Sequence, residues 1–73
     1  MATQKVMDAG GHTEHIFDPS DARSVSEARS RFYNLIGQGY RAAALRPDGV
    51  HALLRTFDPQ AESTLFIPPM QGG

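Results

Sequence analysis

Alternating side chains near the start of the sequence predict two short β-strands. The run "TEHIF" places Thr13, His15 and Phe17 on one side and Glu14 and Ile16 on the other, which is the two-residue period of a strand. The earlier run "QKVMD" predicts a strand with less apolar content, and an unstructured terminus is the alternative there. The glycine pair in "AGGHT" predicts a tight turn between them, because glycine accepts positive φ without steric cost.

One amphipathic helix is predicted between Asp18 and Gln38. Its apolar residues recur at helical spacing and form a single stripe of Val25, Ala28, Phe32, Leu35 and Ile36. Ser24 lies three residues before Glu27, which predicts a capping box in which the serine oxygen accepts from the Glu27 N–H. Glycines at positions 37 and 39 predict the end of the helix, since either can adopt the left-handed conformation that follows it.

A second hairpin is predicted over residues 40–57, "YRAAALRPDGVHALLRTF". Pro47 presets the φ of a turn, and Gly49 tolerates the exit geometry. The adjacent Leu53 and Leu54 fall on opposite faces of a strand, so one of them is expected to be partly exposed. A helix over residues 40–45 is the alternative because of the alanines, but glycines before it and Pro-Asp-Gly after it leave it short.

The last strand is predicted at "TLFI", Thr64–Ile67, where two prolines then prevent further pairing. The tripeptide "FDP" occurs at 17–19 and at 57–59, and each copy predicts a strand end through the turn chemistry of aspartate and proline. The element order is strand, strand, helix, strand, strand, strand. It predicts an α+β roll, a mixed sheet of four to five strands with one helix packed across it and the first and last strands adjacent in the centre.

Composition narrows the class of protein. The 73 residues predict one small domain, and the formal charge of −1 argues against nucleic acid as a partner, since phosphate binding favours a basic surplus. The chain has no cysteine, which excludes disulfides and thiolate chemistry. No run approaches the length of a membrane span, and Met1 to Asp8 lack the features of a secretory signal. We therefore expect a cytoplasmic protein with neither membrane nor nucleic-acid partners.

Candidate catalytic or metal-binding sets are weak, so the sequence predicts a protein that is not an enzyme and needs no cofactor or metal. His12 and His15 are expected on opposite faces of a strand, and neither these nor His51 have a third ligand at convincing spacing. No nucleophile elbow, phosphate loop or dinucleotide fingerprint is present. Five of the six arginines make up most of the basic charge and indicate either a solvated surface or a protein interface, and they are Arg29, Arg31, Arg41, Arg46 and Arg55.

The final segment "FIPPMQGG", Phe66 to Gly73, carries the strongest functional signal. The side-chain-free glycines at positions 72 and 73 leave a carboxylate that can enter a narrow channel, where an activating group meets no Cβ. Pro68 and Pro69 stiffen the stem, so less entropy is lost when a partner grips it. We divide the chain into a domain over residues 1–67 and a tail over residues 68–73.

This ending resembles that of the ubiquitin-like sulfur carriers, above all the small subunit of molybdopterin synthase, which typically reads Phe-x-Pro-Pro-Val-x-Gly-Gly. The matching positions are Phe66, Pro68, Pro69, Gly72 and Gly73. "SVSEAR" is also similar to that family's helix start, and the element order fits the ubiquitin (β-grasp) fold. The resemblance implies that an E1-like enzyme adenylates Gly73, followed by sulfur transfer or conjugation to a target. Phe66, the prolines, Met70 and Gln71 would then form a partner-binding segment.

The resemblance covers about eight tail residues and six helix residues. Met70 replaces the small aliphatic residue of the family, and "DPQAEST" is only a loose acidic counterpart of its Asp-Gly-Asp-Glu stretch. The middle hairpin does not match. The alternative hypothesis is therefore a non-enzymatic structural or accessory subunit of a phage particle or other assembly, which docks on the other subunits through its apolar tail.

Overall fold

The computed structural model describes residues 1–46 and 48–69, which form five strands and one helix. The elements are β1 (Ala2–Asp8), β2 (Gly11–Phe17), α1 (Ala22–Gly37), β3 (Arg41–Leu45), β4 (His51–Leu54) and β5 (Ser63–Ile67). The strands form one mixed sheet in the order β2-β1-β5-β3-β4. The predicted α+β, β-grasp-like arrangement of a mixed sheet with one helix across it is confirmed.

The centre of the sheet is the pairing of the first strand with the last. β1 and β5 run parallel, with Thr3 opposite Ser63 and Val6 opposite Phe66. The alternative of an unstructured terminus is therefore wrong, and β1 extends two residues further towards the start of the chain than predicted. Strands β1 and β5 each have a second, antiparallel neighbour, β2 and β3, so the weakly apolar first strand is stabilised by ladders on both edges.

The β1–β2 hairpin turns one residue earlier than the glycine pair suggested. Asp8 pairs with Gly11, so Ala9 and Gly10 form the two-residue loop. Gly11 alone of the two glycines has positive φ, at 142°. The Asp8 carboxylate accepts from the Gly10 N–H at 2.8 Å, which closes the loop. The turn is thus stabilised by the Asp8 side chain, and only one of the two glycines uses the tolerance of positive φ that was expected of both.

The β3–β4 hairpin is confirmed, and the alternative helix over residues 40–45 is wrong. Ala42 pairs with Leu54, and Leu45 pairs with His51. In the turn, the Gly49 N–H donates to the Arg46 carbonyl at 2.9 Å. The prediction for Pro47 lies outside the described residues. Leu54 is half-buried whereas Leu53 is 63% exposed, as expected for neighbours on opposite faces.

The N-cap of helix α1 lies three residues before the predicted cap, Ser24. Asp21 is the N-cap, and its carboxylate accepts from the Arg23 N–H at 3.2 Å. The Ser24 hydroxyl instead accepts from the backbone N–H of Asp18 at 2.9 Å, so the predicted capping box with Glu27 is wrong. The reason is a competing donor, because the backbone leaving β2 needs an acceptor and Ser24 lies beside it.

Aromatic side chains hold the helix against the sheet. Phe32 is 1% exposed, and its ring centroid lies 5.7 Å from that of Phe66 and 5.9 Å from that of Phe57. Phe57 also lies 5.9 Å from Phe17, so the two "FDP" phenylalanines pack on each other. Leu35, predicted to be buried, is only half-buried at the edge of this cluster. The first "FDP" begins on Phe17, the last residue of β2, and so ends that strand as predicted, whereas the second begins three residues beyond the end of β4.

One polar side chain is buried beside this aromatic core. Gln4 is 1% exposed; its amide nitrogen donates to the Ala28 carbonyl at 3.1 Å, and its amide oxygen accepts from the Arg31 guanidinium at 2.8 Å. Both ends of the amide are therefore hydrogen-bonded to α1. These two hydrogen bonds, which we call the clamp, fix the helix over β1. The cost of burying the Gln4 amide is offset because neither amide atom is left without a partner.

We predict that Phe32→Ala lowers the free energy of unfolding by about 3–5 kcal/mol, because it removes the ring that contacts both neighbouring phenylalanines. Urea denaturation measures the loss. Leu53→Ala is the control and should change stability by less than about 0.5 kcal/mol, since its side chain is largely exposed. Equal losses in the two variants would contradict the assigned core.

For the clamp, we predict that Arg31→Ala costs about 1–3 kcal/mol, because the buried Gln4 oxygen loses its donor. In a Gln4→Met background, which has no amide to satisfy, the same substitution should cost less. A double-mutant cycle by urea denaturation measures the coupling, with Arg55→Ala as the exposed control. Additive losses would show that the guanidinium and the amide do not support each other.

Candidate functional site

The candidate site begins where β5 leaves the sheet. The last ladder pair joins Arg41 to Ile67, and the chain continues through Pro68, which is half-buried, to Pro69, which is exposed. Met70, Gln71, Gly72 and Gly73 lie outside the described residues. The structure therefore describes the stem of the predicted tail and the strand that carries it.

Phe66 lies in the core and not on the tail surface. It is fully buried and faces α1, where it packs on Phe32. The interpretation of Phe66 as a partner-contacting residue is therefore corrected: in β5 it alternates with the exposed Ile67, and its face of the strand is covered by the helix. Its function is to anchor the strand from which the tail departs.

The sheet surface opposite α1, which we call the open face, was not predicted from the sequence. Within residues 1–46 and 48–69, no helix or strand covers it. Its exposed large apolar side chains come from four strands, and they are Ile16, Leu45, Leu53 and Ile67. On the same face, Leu65 of the central strand β5 lies between its two register partners, Lys5 of β1 and Ala43 of β3. Strand alternation predicted one exposed leucine, but only the register of all five strands shows that these residues share a surface.

Three polar side chains of the open face form a cluster near the β2 edge. The Lys5 ammonium is 3.5 Å from a Glu14 carboxylate oxygen, and the His12 imidazole is 3.7 Å from the same oxygen. All three are well exposed, so these contacts contribute little to stability.

His12 and His15 lie on opposite faces of β2, as predicted. His12 is on the open face, whereas His15 pairs with Gln4 on the face towards the helix. Partial burial, and secondarily the positive charge of Arg31, lower the pKa of His15 below its ordinary value of 6.5. In the part of the chain that the structure describes, no group of three His, Cys, Asp or Glu residues could hold a metal ion.

The lowered pKa of His15 predicts a pH dependence of stability. Since the fold favours the neutral imidazole, the stabilisation is complete above pH 6.5 and is lost as the pH falls through the folded-state pKa. His15→Gln should reduce this loss, which urea denaturation measures at pH values above those at which carboxylates titrate. Arg31→Gln should raise the pKa of His15, measured by NMR titration. A pKa of His15 at or above 6.5 in the wild type would contradict an origin in burial and the charge of Arg31.

Among the five arginines singled out from the sequence, Arg29 and Arg31 have intramolecular partners. The Arg29 guanidinium lies 5.7 Å from the Phe57 ring centroid, and Arg31 is bonded to Gln4. Arg41 pairs with Ile67 at the tail exit, on the open face. Of the two interpretations of the arginines, neither is tested for Arg41, which is exposed beside the tail exit, while Arg29 and Arg31 pack onto the fold.

No helix among the described residues is long and apolar enough to cross a membrane. Comparison with known proteins gives no matching family model, no similar curated protein and no similar solved structure. Function must therefore be inferred from the chain's own residues and from the tail motif.

Proposed function

We propose that this protein is a ubiquitin-like carrier or modifier whose Gly73 carboxylate is activated by an E1-like adenylating enzyme. The observation that supports it most directly is the position of the tail motif in the fold. Its first residue, Phe66, is fully buried in the central strand β5, and its two prolines directly follow the end of that strand. A rigid strand thus delivers the tail, so little conformational freedom remains in its stem when a partner binds.

The chemistry follows from the carboxylate. In activation, an oxygen of the Gly73 carboxylate attacks the α-phosphate of ATP, pyrophosphate leaves, and an acyl adenylate forms. A nucleophile then attacks the activated carbonyl and AMP leaves: a sulfur nucleophile begins sulfur transfer, whereas an amine completes conjugation. The activating enzyme supplies the catalytic groups, and this chain supplies the substrate carboxylate. Because the reaction consumes ATP, the proposal assigns the protein to the cytoplasm.

A second candidate function is favoured by the open face. A non-enzymatic subunit of a larger assembly would bury Ile16, Leu45, Leu53 and Ile67 against its neighbours, with the tail as an additional anchor. Exposed apolar residues on one surface are a recognised mark of protein contact sites. The two functions differ in one requirement, because only the carrier needs a reactive carboxylate at Gly73.

We predict that one alanine appended after Gly73 abolishes ATP-dependent pyrophosphate exchange with a panel of purified E1-like enzymes. The melting temperature should stay at the wild-type value, because the core around Phe32 is untouched. Gly10→Ala is the control for a small change away from the tail, and its new methyl group would lie in ordinary contact with Asp8. This variant should retain exchange.

The assembly function predicts the opposite dependence. Leu53→Asp should prevent co-purification with neighbouring subunits, while the appended alanine should be tolerated, because lost apolar packing and not carboxylate chemistry would limit binding. Exchange that survives extension beyond Gly73 would overturn the carrier proposal.

A further inference from the structure

The pairing of β3 with β5 continues geometrically beyond its last hydrogen-bonded pair. Ala42 lies opposite Phe66 and Arg41 opposite Ile67, so the next two steps of the register bring Tyr40 to Pro68 and Gly39 to Pro69. The hydrogen-bonded ladder cannot follow, because proline has no N–H. The N–H groups of Gly39 and Tyr40 already donate to carbonyls at the end of α1, so packing is left to hold the stem of the tail at this point.

Such a packing contact exists between Gly39 and Pro69. A methyl group added at Gly39 would lie 3.3 Å from the Pro69 Cβ and 3.5 Å from its Cγ. The first distance is shorter than about nine in ten real contacts of this kind, so the proline ring would have to move by a few tenths of an ångström to admit a side chain. The bare Cα of Gly39 thus forms a seat for the ring.

Gly39 itself is fixed by the end of α1. Its φ is +96°, which is the left-handed residue that follows a helix. Its N–H donates to the Ile36 carbonyl at 3.0 Å, and the next residue, Tyr40, donates to the Leu35 carbonyl at 3.0 Å. Helix-end bonds therefore hold the backbone at Gly39 and directly after it. The seat belongs to the rigid part of the domain, although Pro69 is exposed.

We propose that Gly39 is a positioning residue for the tail: it seats the Pro69 ring and thereby fixes the direction of the stem, Pro68 and Pro69, at the point where the stem leaves the sheet. This inference deepens the proposed function and rests on it, because the direction matters only if a partner must receive the Gly73 carboxylate. The seat orders the stem before binding, so the activating enzyme loses less free energy in ordering it. Gly39 does not touch the reacting atoms, so the effect falls on recognition.

Gly49 provides a matched control for Gly39. Both glycines have positive φ, +85° at Gly49, but an added methyl group at Gly49 would meet nothing within 4 Å. Asparagine is the replacement chosen at both positions, because it tolerates positive φ better than other side chains. Gly39→Asn therefore tests the seat, while Gly49→Asn reports the cost of the backbone conformation alone.

The first measurement is structural and does not depend on activity. NMR spectra of the wild type should show a nuclear Overhauser effect between the Gly39 Hα and the Pro69 ring protons. Gly39→Asn should remove it and shift the Ile67 amide resonance, whereas Gly49→Asn should leave both unchanged. Absence of the effect in the wild type, or equal shifts in the two variants, would overturn the seat.

The second measurement uses pyrophosphate exchange with the E1-like enzyme that accepts the wild type. Gly39→Asn should raise the KM of the enzyme for this protein roughly threefold to tenfold with kcat unchanged, and Gly49→Asn should alter neither. In a Pro69→Gly background the Gly39→Asn penalty should vanish, since no ring remains to be displaced. An unchanged KM in Gly39→Asn would overturn the positioning function. If no enzyme accepts the wild type, the proposed function fails, and with it the positioning function, while the Overhauser effect still decides the contact.

Discussion

The structure depends on the parallel pairing of β1 with β5 beneath helix α1. Parallel neighbours cannot be joined by a tight turn, so the intervening chain must cross the sheet and return. Helix α1 makes that crossing and is held there by Phe32 on Phe66 and by Arg31 and Ala28 on Gln4. This arrangement leaves the opposite side of the sheet uncovered among the described residues, and it places the last strand in the middle of the domain.

The central position of β5 links the fold to the proposed function. Phe66 is buried within the strand, Ile67 forms the last ladder pair, and Pro69 packs on Gly39 at the end of the helix. Three successive contacts of different kinds, a core side chain, a backbone pair and a ring on a glycine, thus define the path of the stem. A tail that must deliver its carboxylate to another protein benefits from this order, because each fixed residue lowers the entropy lost on binding.

The sequence predicts those features that local periodicity controls, and it fails where distant groups compete. The stripe through Phe32 predicted the face of the helix that packs on the sheet, and the adjacent Leu53 and Leu54 predicted that one leucine would be exposed, without specifying which one. Ser24 has the spacing of a cap towards Glu27, but the Asp18 N–H takes its hydroxyl, and no local pattern shows that donor. Phe66 belongs both to the tail motif and to the two-residue alternation of β5, and the alternation determines that its side chain is buried. The open face and the Gly39–Pro69 contact both require the register between strands, which a single sequence does not specify.

The proposed function requires that Gly73 is a reacting group and not merely the end of an anchor. Tandem mass spectrometry of the Gly73-containing peptide, from protein incubated with ATP, an E1-like enzyme and a sulfur donor or target protein, tests this requirement most directly. We expect a modified Gly73 carboxyl, as a thiocarboxylate or as an amide to the target. An unmodified carboxyl under conditions in which the enzyme activates its own carrier would contradict the proposal.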